Sequence, residues 1–413
     1  MKILAVNCGS STLKFELIEV AESGHSSADE RRLARGLVDR IGQEARLDFR
    51  VESGPAHAET QEVPDHADAI RQVLLWLDST RILEPQGLAA VGHRIVHGGD
   101  QFSRPVLIDE DVLTALDALT KLAPLHNGPA LKTIRAARES LGQRVPMVAT
   151  FDTAFHRSMP GPAALYAIPQ DLARKHRIRR YGFHGLAHAF MTQRYAAIVD
   201  TPVERTRLVT IQLGNGCSAA AVDRGRSVDT SMGFTPLEGL VMGTRSGDVD
   251  PTLIAYLAGE ENVTVATVEN WLNRGSGLLG VSGSSGDMRE LLQAEAAGDA
   301  NAALAIAMFC YRVRKYIGAY LNVLGGADAV IFGGGIGENS PAVRSRICRG
   351  MAWCGLQFDE VRNAATVGRE AKISADAAHV QAYVIPVDEA VIIVKDTVSC
   401  LQSLAPEGTA PRR

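Results

Sequence analysis

Lys2 to Val6 carry an unbroken apolar run from Ile3 onward, Asn7 to Thr12 are polar, and Leu13 to Val20 are mostly apolar again. That order reads as strand, turn, strand. Residues 21–65 are polar with scattered Gly and Pro, which suggests short strands and loops. From Ala67 to Asp78, Ile70, Val73, Leu74 and Leu77 fall on one helical face. Leu88 to Val91 reads as a short strand that enters the polar turn GHRIVHGGD. Helical patterns follow near 109–122 and 129–141, and VPMVATF is then an apolar strand running into Asp152.

A second series starts near 207, where RLVTIQLGNGCSAAAV again reads strand, Gly-containing turn, strand. Its likeness to the N-terminal hairpin suggests an internal duplication. Helices are expected at 251–259, 287–297 and 300–322. ADAVIFGGGIGENS is a strand that enters a Gly-rich turn and a helix start. AYVIPV is the last strand, followed by a helix from Asp388 to about Leu401 and a polar tail, PEGTAPRR. Alternation of strands and helices on this scale indicates an α/β fold.

A chain of 413 residues exceeds one ordinary core, so two or three domains are expected. Its 46% hydrophobic and 22% charged residues are globular proportions. The net charge of -4 gives no broad attraction for nucleic acid or anionic membrane, so basic residues that matter must act locally. MKILAVNCGSSTLKFELIEV does not read as a signal peptide, and no uncharged apolar run reaches membrane-spanning length, so a cytoplasmic location is expected. The six cysteines show no CxxC spacing, which suits reduced thiols.

Three Gly-rich turns follow expected strands: Asn7 to Thr12, Leu213 to Gly216, and Gly333 to Asn339. Glycine lets backbone N–H groups approach a phosphate, and hydroxyls add donors. Lys14 could reach the same phosphates. None of the three is a Walker A sequence. One such turn alone is as often structural as functional; three in one chain favour a bound nucleotide. Arg94 in GHRIVHGG and Arg245 in MGTRSGDVDP also lie in Gly-rich stretches. A single arginine is usually a solvated surface residue. Two of them suit a phosphoryl group in transfer, and Arg94 could also fork onto a carboxylate. His184, Asp152 and Glu389 stand in YGFHG, TFDTAFH and PVDEA. His93, His97, His126, His156 and His188 occupy similar stretches, where a structural hydrogen bond is the default role. There is no HExxH and no Cys/His ligand set for zinc. Asn7, Asp152 and Glu389 offer hard oxygens of the kind Mg²⁺ takes in phosphate sites.

VNCGSSTLKFEL, GHRIVHGG, APLHNGP, FDTAFHRSMP, RRYGFHG, LGNG, MGFTPLEGLVMGTRSGDVDPT, GLLGVSG with Asp287-Met288-Arg289, FGGGIGENS and IPVDEA resemble the motifs of the acetate kinase family, in that family's order from Met1 to about Thr397. The resemblance implies two ribonuclease-H-like, actin-like ATPase lobes with an active-site cleft between them, and a homodimer. The first lobe would span 1–152 plus 390–413, the second 153–389. It implies ATP/ADP as co-substrate, a small carboxylate as acceptor, and Mg²⁺ (Mn²⁺ as the alternative) on Asn7 and Glu389. Lys14, Gln212, Leu213, Gly214, Asn215, Gly216, Asp287, Met288, Arg289, Gly335, Ile336, Gly337, Glu338 and Asn339 would bind nucleotide. Arg94 would hold the acid, with Asp152, His184 and Arg245 completing the catalytic set. Val96, Leu125, Phe183 and Pro236 would enclose the methyl group. Four positions depart from the family pattern: Leu186 and Ala187 replace hydroxyl residues, Gln212 replaces a His, and Ala390 replaces a Glu. Thr12 replaces a Ser and keeps the hydroxyl.

The implied reaction is ATP plus acetate giving ADP plus acetyl phosphate, by in-line attack of the carboxylate. Acetate is already ionised at neutral pH, so Asp152 is expected to orient Mg²⁺, a water or Arg94 and not to act as a base. The rivals are the same chemistry on propionate or butyrate, a pyrophosphate-dependent relative, and an actin- or chaperone-like ATPase switch. A branched Val96 favours the smallest acid over longer ones.

Overall fold

The computed structural model describes residues 1–21, 30–52, 54, 56–84, 87–121 and 124–404, the side chains of 124–126 and 404 excepted. Leu125 and His126, as side chains, and the tail 406–413 therefore lie outside the described residues. The chain divides into two units. Unit 1 comprises Met1–Ala154 and Asp388–Arg413, and unit 2 comprises Phe155–Val387.

Unit 1 is built on strands β1 (Lys2–Cys8), β2 (Thr12–Glu19), β3 (Arg31–Asp39), β4 (Glu44–Val51), β5 (Ala56–Glu62), β6 (Ala90–Ile95), β7 (Val106–Leu107) and β8 (Met147–Phe151). Their order is β5-β4-β3-β2-β1-β6-β8-β7. β1 to β5 form an antiparallel meander, while β6 and β8 add parallel to β1. Residues 21–65 thus hold three long strands, where the polar composition suggested short ones. Glu44–Val51 alternates exposed and buried along its length, a half-solvated strand in which polar residues fill one face. The sixth strand also runs further than expected, to Ile95, because β1 continues beside it to the Asn7–Arg94 pair.

Alternation along β1 and β6 assigns the two faces of the sheet. Leu4, Val6, Cys8, Val91 and Ile95 join the core beneath the helices His66–Ser79, Glu110–Leu119 and Pro124–Leu141. Asn7, Gly92 and Arg94 point to the other face, which the helix Glu389–Leu404 covers. A Cβ on Gly92 would lie 2.4 Å from Thr397 Oγ1 and 2.5 Å from Ile393 Cγ2, so this glycine lets that helix rest on β6. Arg32 fixes the start of the helix by bonding Glu16 and Asp388, each at 2.5 Å. Glu389, counted above with the second lobe, accordingly groups with unit 1.

On the same helix, burial pushes the Asp396 carboxyl up to about 7. Folding then favours the protonated acid. The stability it contributes is full below the ordinary carboxyl range and is lost as pH rises through about 7. Asp396→Asn is therefore expected to raise Tm by a few degrees at pH 8 and to leave it unchanged near pH 4, as calorimetry across that range would read.

Unit 2 contains β9 (Arg207–Leu213), β10 (Cys217–Asp223), β11 (Arg226–Thr230), β12 (Ala329–Gly333), β13 (Ala371–Lys372) and β14 (Gln381–Val384), in the order β11-β10-β9-β12-β14-β13. β9 pairs antiparallel with β10 and parallel with β12, as β1 pairs with β2 and β6. β14 extends the parallel side as β8 does in unit 1. The duplicated hairpin in the sequence thus corresponds to a repeated sheet plan. The expected helices appear as Thr252–Glu260, Met288–Ala296 and Ala300–Leu324. Several others, among them Gly185–Ile198, Val265–Arg274, Gly277–Ser282 and Pro341–Cys348, have no counterpart in the sequence reading. Among the described residues, no helix is long and apolar enough to cross a membrane.

Candidate active site

Unit 1 gathers Asn7, Arg94, Asp152 and Glu389. β1 and β6 place Asn7 beside Arg94 in register, β8 ends at Phe151 so that Asp152 follows it, and Glu389 opens its helix. Arg94 forks onto Asp152 through Nε to Oδ1 at 3.0 Å and Nη2 to Oδ2 at 2.5 Å. Its Nη1 donates to Asn7 Oδ1 at 2.9 Å and stands 3.5 Å from Glu389 Oε2. Asn7 Nδ2 donates to the same Glu389 oxygen at 2.7 Å. Asp152 is fully buried and Arg94 nearly so. Burial disfavours the guanidinium charge, but Asp152 and Glu389 outweigh it and hold Arg94 above its ordinary value. Burial raises the Glu389 carboxyl, and Arg94 only partly offsets this. Lys14 pairs with Asn7 across the hairpin and is a further positive influence on Glu389.

Neighbouring motif residues point elsewhere. Cys8 lies under the Pro124–Leu141 helix, 3.2 Å from Thr133 Oγ1, and burial pushes its thiol up to about 11. Its place in a phosphate-turn motif thus reflects packing. His93 is buried on that same face and desolvation pushes it down to about 3. Asn127 bridges the His97 backbone, accepting from its N–H at 3.1 Å and donating to its carbonyl at 2.9 Å. This pins the turn that carries Val96, itself 8% exposed.

Described residues include no cluster of three or more His, Cys, Asp or Glu that could cage a metal. Magnesium does not require one, since it characteristically takes one or two protein oxygens and completes its shell with water and phosphate. Glu389 offers a carboxylate raised by desolvation and Asn7 an amide oxygen, which here accepts from Arg94; these are the hard donors that suit that habit.

Unit 2 gathers His184, Arg245 and the LGNG turn. His184 precedes the helix Gly185–Ile198 in a left-handed conformation, φ 57°, which a non-glycine residue holds only when its surroundings enforce it. His156 Nε2 donates to the Phe183 carbonyl at 3.0 Å and so fixes the preceding peptide. A Cβ on Gly216 would sit 3.5 Å from His184 Nε2 and 3.6 Å from Arg245 Nη1. The two side chains therefore converge on this glycine, whose bare backbone leaves room beside them.

Arg245 donates to the Pro236 carbonyl at 3.0 Å and lies 3.7 Å from Met242 Sδ. No carboxylate among the described residues pairs with it, and burial lowers its hold on a proton. It is held as a cation without a counter-ion. The loop carrying Pro236 is braced by Glu238, which bonds Tyr166 and Arg180, the latter at 2.6 Å.

The remaining nucleotide candidates are also in unit 2. Gly334 adopts φ 75° and its N–H donates to Glu338 Oε1 at 2.7 Å. Glu338 also accepts from Val387 N–H at 3.0 Å, so its carboxylate braces the Gly333–Asn339 turn. Gly335, Ile336, Gly337 and Asn339 lie on the short helix Gly334–Asn339. Asp287 caps Met288–Ala296, and its partner Arg289 is exposed. Gln212 and Leu213 end β9, Gly214 and Asn215 form the turn, and Asn215 carbonyl accepts from Gly243 N–H at 3.0 Å. Phe183 is buried and Pro236 half-buried, both in unit 2, whereas Val96 belongs to unit 1. Leu186 and Ala187 are buried, so apolar side chains fit where the family pattern has hydroxyls.

Arg344 escaped the motif reading. It is fully buried and donates to the carbonyls of Gly337 at 2.7 Å, Glu338 at 3.1 Å, Asn363 at 3.1 Å and Thr366 at 2.5 Å. It ties the Gly333–Asn339 turn to the segment behind it. It lies on the helix Pro341–Cys348, outside every motif quoted above.

Two sheets of the same plan, one carrying a carboxylate–guanidinium cluster and the other phosphate-type glycine turns with an unneutralised arginine, define an ATP-dependent phosphotransferase of the actin-like ATPase fold. Comparison with known proteins gives the family. Residues 2–395 match the acetokinase family, and the chain belongs to it. It is 48% identical to an acetate kinase of Solibacter usitatus, over 97% of this chain and 98% of the relative. A Chloroherpeton thalassium acetate kinase is 46% identical, over 97% and 99%. The crystal structure of Porphyromonas gingivalis acetate kinase matches with TM-score 0.88 at 38% identity, covering 97% of this chain and 99% of that one. A propionate kinase from Francisella tularensis matches with TM-score 0.87 at 39% identity, over 96% and 98%. The chain is thus an ATP-dependent carboxylate kinase, and the ATPase-switch rival falls away.

Proposed function

We propose that the chain phosphorylates acetate, forming acetyl phosphate and ADP reversibly. The observation that carries the phosphoryl-transfer assignment is Arg245, a largely buried cation whose neighbours are a carbonyl, a thioether and the Gly216 backbone. Such a group is satisfied by an anion. With His184 beside it, it suits the spread charge of a phosphoryl group in transfer.

Unit 1 supplies the acceptor side. Arg94 recognises the acid carboxylate, and Asp152 positions Arg94, since both its oxygens engage the guanidinium. An ionised acid has no proton to lose, which supports Asp152 as an organiser. Glu389 and Asn7 would hold Mg²⁺, which when bound neutralises phosphate charge. Val96, already nearly buried, favours the shorter acid. The similar propionate kinase makes the longer acid the reading to exclude.

Trapping the product with hydroxylamine and comparing kcat/KM for acetate and propionate tests this. One methylene is worth about 1–3 kcal/mol, so acetate should lead by roughly 10-fold or more; equal or reversed constants would reassign the acid.

The chain acts as a homodimer in this reading. Tyr256, Val265, Leu304 and Tyr311 are exposed on helices of unit 2, an apolar set that supports a partner. Light scattering should give twice the 44.2 kDa chain mass.

A further inference from the structure

Behind His184 a file of hydroxyl and imidazole groups runs into the core of unit 2. His184 Nδ1 lies 2.9 Å from Ser218 Oγ. The same oxygen lies 2.8 Å from His188 Nε2, and His188 Nδ1 lies 2.8 Å from Thr210 Oγ1. His184 and His188 stand one turn apart at the start of the Gly185–Ile198 helix. Thr210 and Ser218 come from β9 and β10. Thr210 pairs with Ala220, two residues from Ser218, so both hydroxyls face the helix from one side of the sheet. Thr210, Ser218 and His188 are fully buried.

The proton count along this file allows two arrangements. Each hydroxyl has one hydrogen, and His188, which burial holds well below its ordinary value, is neutral and carries one N–H. In the first arrangement Thr210 donates to His188 Nδ1, His188 Nε2–H donates to Ser218, and Ser218 donates to His184 Nδ1. In the second, His188 Nδ1–H donates to Thr210, Ser218 donates to His188 Nε2, and Ser218 accepts from His184 Nδ1–H. The second leaves the Thr210 hydrogen without an acceptor, because His188 is the only side-chain or backbone partner of that hydroxyl among the described residues. An unmade bond on a fully buried hydroxyl costs about 1–3 kcal/mol. The first arrangement satisfies the hydrogens of both hydroxyls and of His188.

We infer that Thr210, His188 and Ser218 are positioning residues that set the tautomer of His184, holding its proton on Nε2, the atom next to Gly216 and Arg245. A neutral imidazole so held is a donor toward the phosphoryl oxygens and cannot serve as a base there. The device is built from residues outside the motifs' catalytic set, and it does not use the hydroxyls that Leu186 and Ala187 lack.

This inference rests on the reading of His184 as a phosphoryl donor, so its test is made on the ligand-free protein. Long-range ¹H–¹⁵N correlation of the histidine rings at pH 7.5 should show both His184 and His188 neutral with the proton on Nε2. A proton on Nδ1 of either ring, or a charged His184, overturns the proposal whether or not acetate is the substrate. Thr210→Val keeps the shape and deletes the hydroxyl, and should give mixed tautomers at His188 and His184. Unchanged spectra would overturn the relay. In assays, Ser218→Ala should lower kcat on the order of 10–100-fold with little change in acetate or ATP KM. Ser218→Thr, which restores a hydroxyl, should recover both the His184 spectrum and most of kcat, and recovery in Ser218→Ala itself would refute the role.

Discussion

Replacing Arg245 with alanine is expected to lower kcat by roughly 10³–10⁵-fold, the range for an arginine that meets a transferring phosphoryl group. KM for acetate and ATP should move far less, because the guanidinium is matched to charge that develops during transfer. The folded state should lose little. Arg245 makes one hydrogen bond to a carbonyl and a contact to sulfur, with no carboxylate left stranded by its removal. Its burial is a cost in the ligand-free chain, so the alanine variant should melt at the same temperature or slightly higher. Arg245→Lys should recover only part of the rate, since an ammonium lacks the planar fork. Steady-state kinetics with a thermal melt separates this from the alternative, a structural arginine, for which Tm would fall and the rate would fall only with it.

Arg94→Ala should behave in the opposite way on stability. Its guanidinium lies between fully buried Asp152 and largely buried Glu389. Removing it leaves two carboxylates facing each other without their cation, a loss of about 3–5 kcal/mol for breaking a buried pair. The carboxyls should take up protons to compensate, so the variant should lose least stability at acid pH. Denaturant unfolding at pH 5 and pH 8 measures the difference. Acetate KM and kcat should both suffer. Asp152→Asn keeps the shape but loses charge, and should lower activity without removing the acid limb of the pH profile, the fall at low pH that reports a base. Loss of that limb would make Asp152 a base.

These two arginines looked alike in the sequence. Each sits in a Gly-rich polar stretch, and no local feature says that one is paired and the other is not. The difference is set by which strand ends meet. Arg94 is neutralised because β1, β6 and β8 end together and the helix from Glu389 returns across 382 residues to Asn7. Arg245 has no carboxylate partner among the described residues because its loop holds it against the Pro236 carbonyl and the Met242 sulfur. Arg344 shows the same limit from the other direction. It braces the Gly333–Asn339 turn from a helix with no motif, so only its four carbonyl contacts reveal it. The histidines illustrate a third case. A structural hydrogen bond was the default for His156 and His188, and both make one, but the partner that gives His188 its meaning is a serine 30 residues away.

By itself the sequence determined the α/β class, the repeated strand–turn–strand plan, the presence of the long helices and the family, because periodicity and contiguous motifs are local properties. It also determined the residue types at the site, since phosphate and carboxylate chemistry demand glycine, arginine and hard oxygens in recognisable runs. Tertiary structure alone decided the charge state of the surroundings. It paired Arg94, left Arg245 as an open cation, lifted Glu389 by burial, and lined up Thr210, His188, Ser218 and His184. Desolvation and ion pairing depend on what lies within a few ångströms in space, and in this chain those neighbours come from segments up to several hundred residues apart.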